Sequence, residues 1–366
     1  MIIPGFYAAA RRSGASAGEP LTLGLNAYPY TGINLTRVVP AGCDLLGLKL
    51  WGGGGGGGSF NAGGGCGFTA ISLPVVPGDV VLIQVGGSGG PGLQTPREGG
   101  AGGWPDGGDG AAGTNVYAGG GGGGSSRVYI NGVLRAVAGG GGGGGYSGLG
   151  ATGRGGGLVA GSEYLTVYNA LGGSQTTGGR GDLASVPNNP ESQGGYLRGG
   201  RAWKTGNRFT VQSETFTRGG GGGGGGYYGG GAANFTTNTQ IVLGGGGSAY
   251  FPRWESLRLA DGTAGGGTGA SPSGTSDTDY PGAVGGGGAG GSNGNGARGG
   301  PGYVIVHAYP SDRKPVRNTM QTVEVVNHRG AAPVRTTMQT LETLLVLPSA
   351  PVRTTMQTLE IIRSVA

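Results

Sequence analysis

Residues 45–58 read LLGLKLWGGGGGGG, an apolar stretch that leads directly into seven consecutive glycines. The apolar part is typical of a β-strand that needs a core to bury it. Glycine has no Cβ and loses the most conformational entropy on ordering, so a glycine run beside a core strand requires a structural reason. The junction therefore predicts that strand and glycines belong to one packed domain.

Further glycine runs lie between short apolar segments, at 119–124, 139–145, 219–226, 244–247 and 285–288. An extended helix with three residues per turn directs its backbone groups sideways and rises about 3.1 Å per residue, so seven or eight glycines span roughly 22–25 Å. Several of the runs have similar lengths, as expected for rods packed side by side, whereas flexible linkers need not be similar in length. We therefore predict a bundle of polyglycine II helices.

The composition argues against a disordered chain, although 97 of the 366 residues are glycine. Only 11% of the residues are charged and 35% are hydrophobic, whereas disordered chains are rich in charge and poor in apolar residues. The net charge of +6 is modest for this length and predicts no nucleic-acid partner. No apolar run reaches the roughly 18 residues of a membrane span, so no membrane insertion is expected.

The remaining pattern predicts an all-β protein. Strands are expected at 45–51, 68–76, 80–85, 127–130, 134–138, 164–168, 240–243 and 303–309, and no convincing amphipathic helix occurs. The dipeptide Asn131-Gly132 between two apolar segments is a strong hairpin signal. Cys43 and Cys66 flank the first glycine run. Buried free thiols are favoured there over a disulfide, with pairing left open.

The C-terminal region contains three near-identical units with an 18-residue period: 315–326 (PVRNTMQTVEVV), 333–344 (PVRTTMQTLETL) and 351–362 (PVRTTMQTLEII). Each predicts one strand plus a loop, and an isolated strand needs a neighbour or another protein. The expected domains are a leader at 1–20, a glycine-rich domain at 21–310 and docking repeats at 311–366. The candidate docking residues are Val316, Met320, Val334, Met338, Val352 and Met356.

Aromatic residues outside the predicted strands are the candidates for receptor contact. Exposed aromatic clusters mark binding surfaces, and long loops carry function more often than scaffolds do. The alternative is that these side chains only cover the ends of the glycine bundle. The candidates are Trp203, Tyr227, Tyr228, Tyr250, Phe251 and Trp254.

No catalytic or cofactor motif has its required context. Residues 87–92, GSGGPG, match a dinucleotide fingerprint, but proline and glycine follow instead of the helix that would hold a pyrophosphate. Neither His307 nor His328 is accompanied by a nucleophile motif or by further residues at the spacing of zinc ligands. The sequence predicts no enzyme, no cofactor and no metal. Four Arg-Gly-Gly triplets leave an RNA-binding protein as a third interpretation.

Three stretches between residues 35 and 310 resemble glycine-rich domains of bacteriophage tail proteins. They are 35–51 (LTRVVPAG followed by LKLW), 76–87 (VPGDVV followed by QVGG) and 299–306 (GGPGYVIV). The glycine-rich domain of anaplastic lymphoma kinase has a similar layout. The T-even phage tail-fibre adhesin shows a weaker resemblance, in composition. The resemblance implies a β-sandwich framework with an inserted polyglycine II bundle, followed here by the C-terminal β-strand repeats.

The same resemblance implies a virion structural protein made in the host cytoplasm. The expected role is a tail fibre or tail-tip adhesin that attaches to a bacterial surface glycan or protein. A head fibre or capsid decoration protein is the alternative. The expected partners are other virion proteins of the tail, baseplate or capsid, and a homo-oligomer such as a trimer.

Overall fold

The computed structural model describes residues 18–95, 98–113, 117–145, 153–161, 170–181, 190–202, 218–233, 235–236, 243–252, 270–292, 294–311 and the backbone of four C-terminal strands. Two compact units divide the chain, Met1–Pro310 and Ser311–Ala366. The regular secondary structure of these residues consists of β-strands and one short 3-10 turn (Pro190–Ser192), with no α-helix. None of their elements is a helix long and apolar enough to cross a bilayer.

The strands of the first unit are β1 (Glu19–Pro20), β2 (Gly24–Pro29), β3 (Leu35–Val38), β4 (Cys43–Trp51), β5 (Phe68–Pro74), β6 (Val80–Gln84), β7 (Ser126–Ile130), β8 (Val133–Ala138), β9 (Arg218–Gly219), β10 (Phe235–Thr236) and β11 (Tyr303–Pro310). A five-stranded sheet has the order β1-β3-β6-β7-β8, and a four-stranded sheet has the order β2-β11-β4-β5. The short strands β9 and β10 pair with each other.

One buried cluster contains side chains from both larger sheets. On β4, Leu46, Leu48 and Leu50 are fully buried, as are Val81 and Ile83 on β6. This alternation follows the two-residue period of a strand. The apolar residues quoted at the start thus form the central part of the core.

Most strand predictions in the first unit are confirmed. The expected segments at 45–51, 68–76, 80–85, 127–130, 134–138 and 303–309 correspond to β4, β5, β6, β7, β8 and β11. The hairpin prediction is also confirmed, because Ile130 pairs with Val133 around Asn131 and Gly132. Those two residues have φ of 51° and 78°, as a type I′ turn requires. Segment 164–168 and residues 240–242 lie outside the described residues.

Five of the six glycine runs are fully buried, and the run 285–288 is partly buried. The run 119–124 is fully buried, and its successive N–H groups donate to different neighbours with a period of three. Its carbonyls accept hydrogen bonds from three other segments with the same period. The run therefore has six hydrogen-bonded neighbours. The three donor pairings are Gly119 and Gly122 to Ala111 and Gly108, Gly120 and Gly123 to Gly144 and Gly141, and Gly121 and Gly124 to Gly90 and Gly87.

The two ends of the four-stranded sheet in the first unit differ. Trp51, at the last position of β4, pairs with Tyr303 and Phe68, and glycine segments begin or end beside all three. The opposite end of the sheet contains Cys43, which pairs with Pro310 at the end of β11. The glycine segments thus leave the four-stranded sheet at one end, and the chain continues to residue 311 from the other.

The C-terminal unit contains β12 (Thr322–Asn327), β13 (Val334–Gln339), β14 (Val346–Leu347) and β15 (Ala350–Pro351). β12 pairs with β13 and β14 with β15, both antiparallel. Of the docking candidates, Val334 and Met338 lie in β13. Val316, Met320, Val352 and Met356 lie outside the described residues, as does the leader up to residue 17.

Candidate functional site: a tyrosine cluster beside the glycine segments

Four tyrosines from three segments, Tyr196, Tyr227, Tyr228 and Tyr250, form one connected group, which we name the tyrosine cluster. The rings of Tyr227 and Tyr250 stack with centroids 4.2 Å apart, and Tyr228 packs edge-on to Tyr227 at 5.2 Å. Tyr196 contacts Tyr227 and Tyr228 at 5.5 and 5.8 Å. Tyr196 is 56% exposed and the other three are half-buried. The cluster therefore presents a continuous aromatic surface with Tyr196 outermost.

Backbone pairing places the cluster at the junction between sheet and glycine segments. Tyr250 exchanges two hydrogen bonds, of 2.9 and 3.0 Å, with Val137 of β8. The Tyr227 N–H donates to the Ser248 carbonyl (2.9 Å), and the Tyr228 N–H donates to the Ser248 hydroxyl (3.1 Å). Because Tyr227 directly follows the run 219–226, a glycine segment delivers this tyrosine pair to the side of the β7–β8 hairpin.

Tyr196 lies at the tip of a tight turn. The N–H of Gly195 donates to the Arg198 carbonyl (2.7 Å), and the N–H of Arg198 donates to the Gly195 carbonyl (3.2 Å). Leu197 has a φ of 53°, a left-handed conformation that is uncommon for residues other than glycine and is often found at binding sites. The Leu197 N–H also donates to the Tyr227 carbonyl at 3.1 Å. The turn thus fixes Tyr196 against the tyrosine pair.

A buried ion pair supports the turn from the sheet side. Arg127 and Asp106, which are 6% and 8% exposed, form a salt bridge. Arg127 also donates from Nη2 to the Leu197 carbonyl (3.1 Å) and from Nε to the Ser125 hydroxyl (2.8 Å). A buried pair is stable only when its remaining polar atoms are bonded. Asp106 meets this condition by accepting hydrogen bonds from the Ser125 N–H (2.8 Å) and hydroxyl (3.0 Å).

The phenols of Tyr196 and Tyr227 are uncharged at neutral pH, because the pKa of each is raised. Burial raises the pKa of Tyr196, with a further rise from Tyr129 and an opposing effect of Arg127. Burial likewise raises the pKa of Tyr227, and the neighbouring tyrosines add to the effect. These two hydroxyl groups therefore remain able to donate and accept hydrogen bonds. The surface combines apolar ring faces with neutral polar groups.

The structure brings together three of the six predicted contact residues, Tyr227, Tyr228 and Tyr250. The prediction for Phe251 needs correction, because this side chain is 6% exposed and belongs to the sheet core. Trp203 and Trp254 lie outside the described residues. The sequence interpretation missed Tyr196. Its signal is a tyrosine set between two glycine pairs, in Gly-Gly-Tyr-Leu-Arg-Gly-Gly at 194–200, like the pair at 227–228.

A second aromatic group is closed and structural. Trp51 packs against Phe68 (4.7 Å) and Tyr280 (5.9 Å). Lys49 Nζ binds Asp277 (2.8 Å) and Asp279 (2.7 Å) and so fastens this loop to β4. Burial lowers the pKa of Lys49, but the two carboxylates more than offset this, so the pKa is raised.

Both cysteines are free and buried, which confirms the prediction of unpaired thiols. Burial raises the pKa of Cys66 to about 12, and burial also raises the pKa of Cys43. A thiolate is the reactive form of cysteine. In the folded protein these two side chains are therefore inert packing groups.

The Asp-Gly-Gly-Asp stretch at 106–109 has an internal role. Asp109 accepts a hydrogen bond from the Gly102 N–H (2.8 Å), while Asp106 pairs with Arg127. Across the described parts of the chain, no group of three or more His, Cys, Asp or Glu side chains could hold a metal ion.

Comparison with models of known protein families gave no match, and no curated protein matched the chain.

Proposed function

We propose that this protein is a bacteriophage virion structural protein, a tail fibre or tail-tip adhesin that attaches to the bacterial surface. In this proposal the two larger sheets form a β-sandwich, and the glycine segments form a polyglycine II bundle inserted between its strands. The tyrosine cluster contacts the host. The observation that carries the proposal is this exposed aromatic surface on a buried, hydrogen-bonded glycine scaffold.

The hydrogen-bond pattern supports the polyglycine II assignment. A helix with three residues per turn directs every third N–H to the same neighbour, and the run 119–124 has this period toward each of its donor and acceptor neighbours. Such packing leaves no room for side chains, which explains the glycine content. A scaffold of this kind resists proteases because its backbone is buried, a useful property for a protein exposed outside the cell.

The chemistry of the tyrosine cluster supports a contact role. Tyrosine rings bury large areas at low entropy cost, and their hydroxyls add adaptable hydrogen bonds. Ring faces suit both sugar rings and flat protein patches. The strained turn at Leu197 and the buried Arg127–Asp106 pair hold Tyr196 in place, and preorganisation of this kind reduces the entropy cost of binding.

The polarity of the first unit supports attachment to the virion through the C-terminal region. The chain leaves this unit at the sheet end opposite the glycine segments. We therefore propose that residues 311–366 dock to other virion proteins and that the glycine segments project outward. Truncation after Tyr309 should leave a folded glycine-rich unit that no longer enters virions. Normal incorporation of the truncated chain would contradict this docking role.

Host binding is tested with purified protein and fluorescently labelled cells. Tyr196→Ala and Tyr227→Ala should each reduce binding at least about fivefold, since a contact residue at the centre of an interface contributes 1 kcal/mol or more. Val133→Ala is the matched control, because Val133 is 51% exposed at the tip of the β7–β8 hairpin. Melting temperatures of all three variants identify any loss of folding. Unchanged binding by both tyrosine variants would exclude this surface.

Labelling of virions with an antibody against the chain, viewed by electron microscopy, separates a tail location from a capsid location. Label on the capsid would favour a head fibre or decoration protein. The scaffold and the docking region would keep their proposed roles in that case, but the host-contact role of the tyrosine cluster would not stand.

A further inference from the structure

Three surface segments lie side by side next to the tyrosine cluster: 178–181, 190–195 and 198–201. Each of them is hydrogen-bonded to the buried segment 229–232, and the turn with Tyr196 at its tip joins the second segment to the third. The bonds to 229–232, each between an N–H and a carbonyl, are Gly179 to Gly229 (2.9 Å), Ala232 to Ser192 (2.7 Å) and Gly200 to Gly230 (2.8 Å). The three segments therefore form one side of the glycine scaffold, continuous with Tyr196.

This side of the scaffold carries three exposed arginines, Arg180, Arg198 and Arg201, which we name the arginine face. Arg180 lies on the first segment and the other two lie on the third. The N–H groups of Arg198 and Arg201 both donate to segment 190–195, at 3.2 and 2.7 Å. Residues three apart lie on the same side of an extended helix with three residues per turn. Arg198 and Arg201 are therefore neighbours along one line, roughly 9 Å apart at about 3.1 Å per residue.

The side chain of Arg198 lies close to Tyr196. A Cβ added to Gly195 would lie 3.5 Å from Arg198 Nε and 3.7 Å from Nη2, so the guanidinium group lies over Gly195, the residue before Tyr196. Tyr196 itself is 56% exposed. An aromatic ring and a planar cation thus adjoin on the surface. The ring face packs against apolar groups, and the guanidinium matches the two oxygens of a carboxylate.

The surface around the arginine face has an excess of positive charge. The described stretches 170–181 and 190–202 contain three arginines and one carboxylate, that of Glu191, which leaves an excess of two positive charges. Among the described residues, none of these three guanidinium groups forms an ion pair, whereas Arg37 and Arg127 do. Interfaces are arranged so that a positive patch meets a negative one. Charge complementarity therefore favours an anionic ligand here.

We propose that the arginine face and the tyrosine cluster together bind an acidic glycan of the bacterial surface, with its sugar rings on the tyrosines and its carboxylates on the arginines. A uronic acid combines in one unit the two features that Tyr196 and Arg198 recognise, a ring with a flat C–H face and a carboxylate. A polymer repeats these features, and arginines repeated along one line suit repeated charges. This assignment rests on the proposed host attachment and narrows its receptor from a glycan or protein to a carboxylated glycan.

Binding of the full chain to the surface polysaccharide of the host tests this assignment. The polysaccharide is extracted from the host cells and immobilised, and in a second sample its carboxyl groups are reduced to alcohols. The unmodified protein should bind the reduced sample at least about tenfold more weakly, because hydrogen bonds between charged groups are roughly twice as strong as those between neutral groups. The reduction leaves the sugar rings in place, so the comparison isolates the contribution of the charge.

Arginine variants connect this loss to the arginine face. Arg198→Gln combined with Arg201→Gln should weaken binding to the untreated polysaccharide at least about tenfold. Carboxyl reduction should then have almost no further effect, because two changes to one contact are not additive. Arg198→Lys keeps the charge but loses the planar fork of donors, so its binding should fall by a smaller factor.

Arg298→Gln is the matched control. Arg298 is exposed and precedes two glycines, as Arg198 does, but its segment is hydrogen-bonded to Gly89 and Gly92. This variant should bind like the unmodified protein. All the arginine variants should have the melting temperature of the unmodified protein, because substitutions of exposed residues change stability little.

Equal binding to the two polysaccharide samples would overturn the assignment, as would a double arginine variant that binds like the Arg298→Gln control. Loss of cell binding after a protease has digested the surface proteins would also overturn it, in favour of a protein receptor. In each of these cases the proposed host attachment stands if Tyr196→Ala and Tyr227→Ala weaken cell binding. Failure of the unmodified protein to bind intact cells would instead refute the attachment itself, and the acidic-glycan assignment with it.

Discussion

Alanine at position 55 provides a direct test of the packed glycine segments. A Cβ added to Gly55 would lie 2.0 Å from the Gly142 carbonyl oxygen and 2.6 Å from its carbon, whereas ordinary contact begins at 3.4 Å. The two segments would have to separate by about 1.4 Å, the difference between the two distances. Gly55 also donates to Gly64 (2.9 Å) and accepts from Gly288 (2.8 Å). A displacement of that size breaks such bonds.

The expected loss follows from these two hydrogen bonds. Each buried backbone group left without a partner costs about 1–3 kcal/mol, so the N–H and C=O of Gly55 alone should lower the free energy of unfolding of Gly55→Ala by roughly 2–6 kcal/mol. The total for a domain is about 5–15 kcal/mol. At about 2–4 °C per kcal/mol, the melting temperature should fall by roughly 4–24 °C. Valine should lower the melting temperature more than alanine does, both at Gly55 and at Gly222. A Cβ added to Gly222 would lie 2.1 Å from the Gly108 oxygen.

Gly286→Ala is the matched control, because it lies in another glycine run but its added Cβ meets only the Ala270 oxygen at 3.9 Å. This variant should melt within a few degrees of the unmodified protein, since alanine costs nothing where space allows. Thermal unfolding followed by circular dichroism and digestion by a nonspecific protease measure both variants. Equal melting temperatures and equal digestion of Gly55→Ala and Gly286→Ala would refute the close packing.

Three further predictions concern side chains. Leu197→Gly removes the cost of the positive φ, so the free energy of unfolding should stay within about 1 kcal/mol of that of the unmodified protein. Cell binding should fall, because Tyr196 is held less firmly. Unchanged binding would count against preorganisation. Lys49 has a raised pKa, so its contribution to stability is present below the unfolded pKa of about 10.4 and is lost as pH rises through the folded value. Melting from pH 8 to 11 should therefore show a smaller decline for Lys49→Met than for the unmodified chain, and parallel curves would contradict the ion pairs. Cys66, with a pKa raised to about 12, should resist a maleimide at pH 8 until the protein is denatured; rapid labelling of the native protein would disprove its burial.

The sequence alone determined the strand pattern and the need for packed glycines. Alternation in 45–51 and the Asn131-Gly132 turn are local signals, because side-chain direction and turn conformation depend on neighbouring residues. The 18-residue period likewise revealed the repeats, since it is visible without any contact. Strand β2 was missed because GLNAYP lacks a clear apolar alternation; its pairing with β11 comes from a partner about 280 residues away.

The tertiary structure decided the candidate site. Phe251 and Tyr250 are adjacent aromatic residues, but pairing with Val137 directs one into the tyrosine cluster and leaves the other in the core. Tyr196 meets Tyr227 only because the glycine segments bring residues some 30 positions apart in sequence to the same hairpin. Arg127 reaches the Leu197 carbonyl across 70 positions. Such contacts are not encoded in local spacing, because glycine segments without side chains pack by backbone hydrogen bonds, and their sequence carries no information about which segment lies beside which.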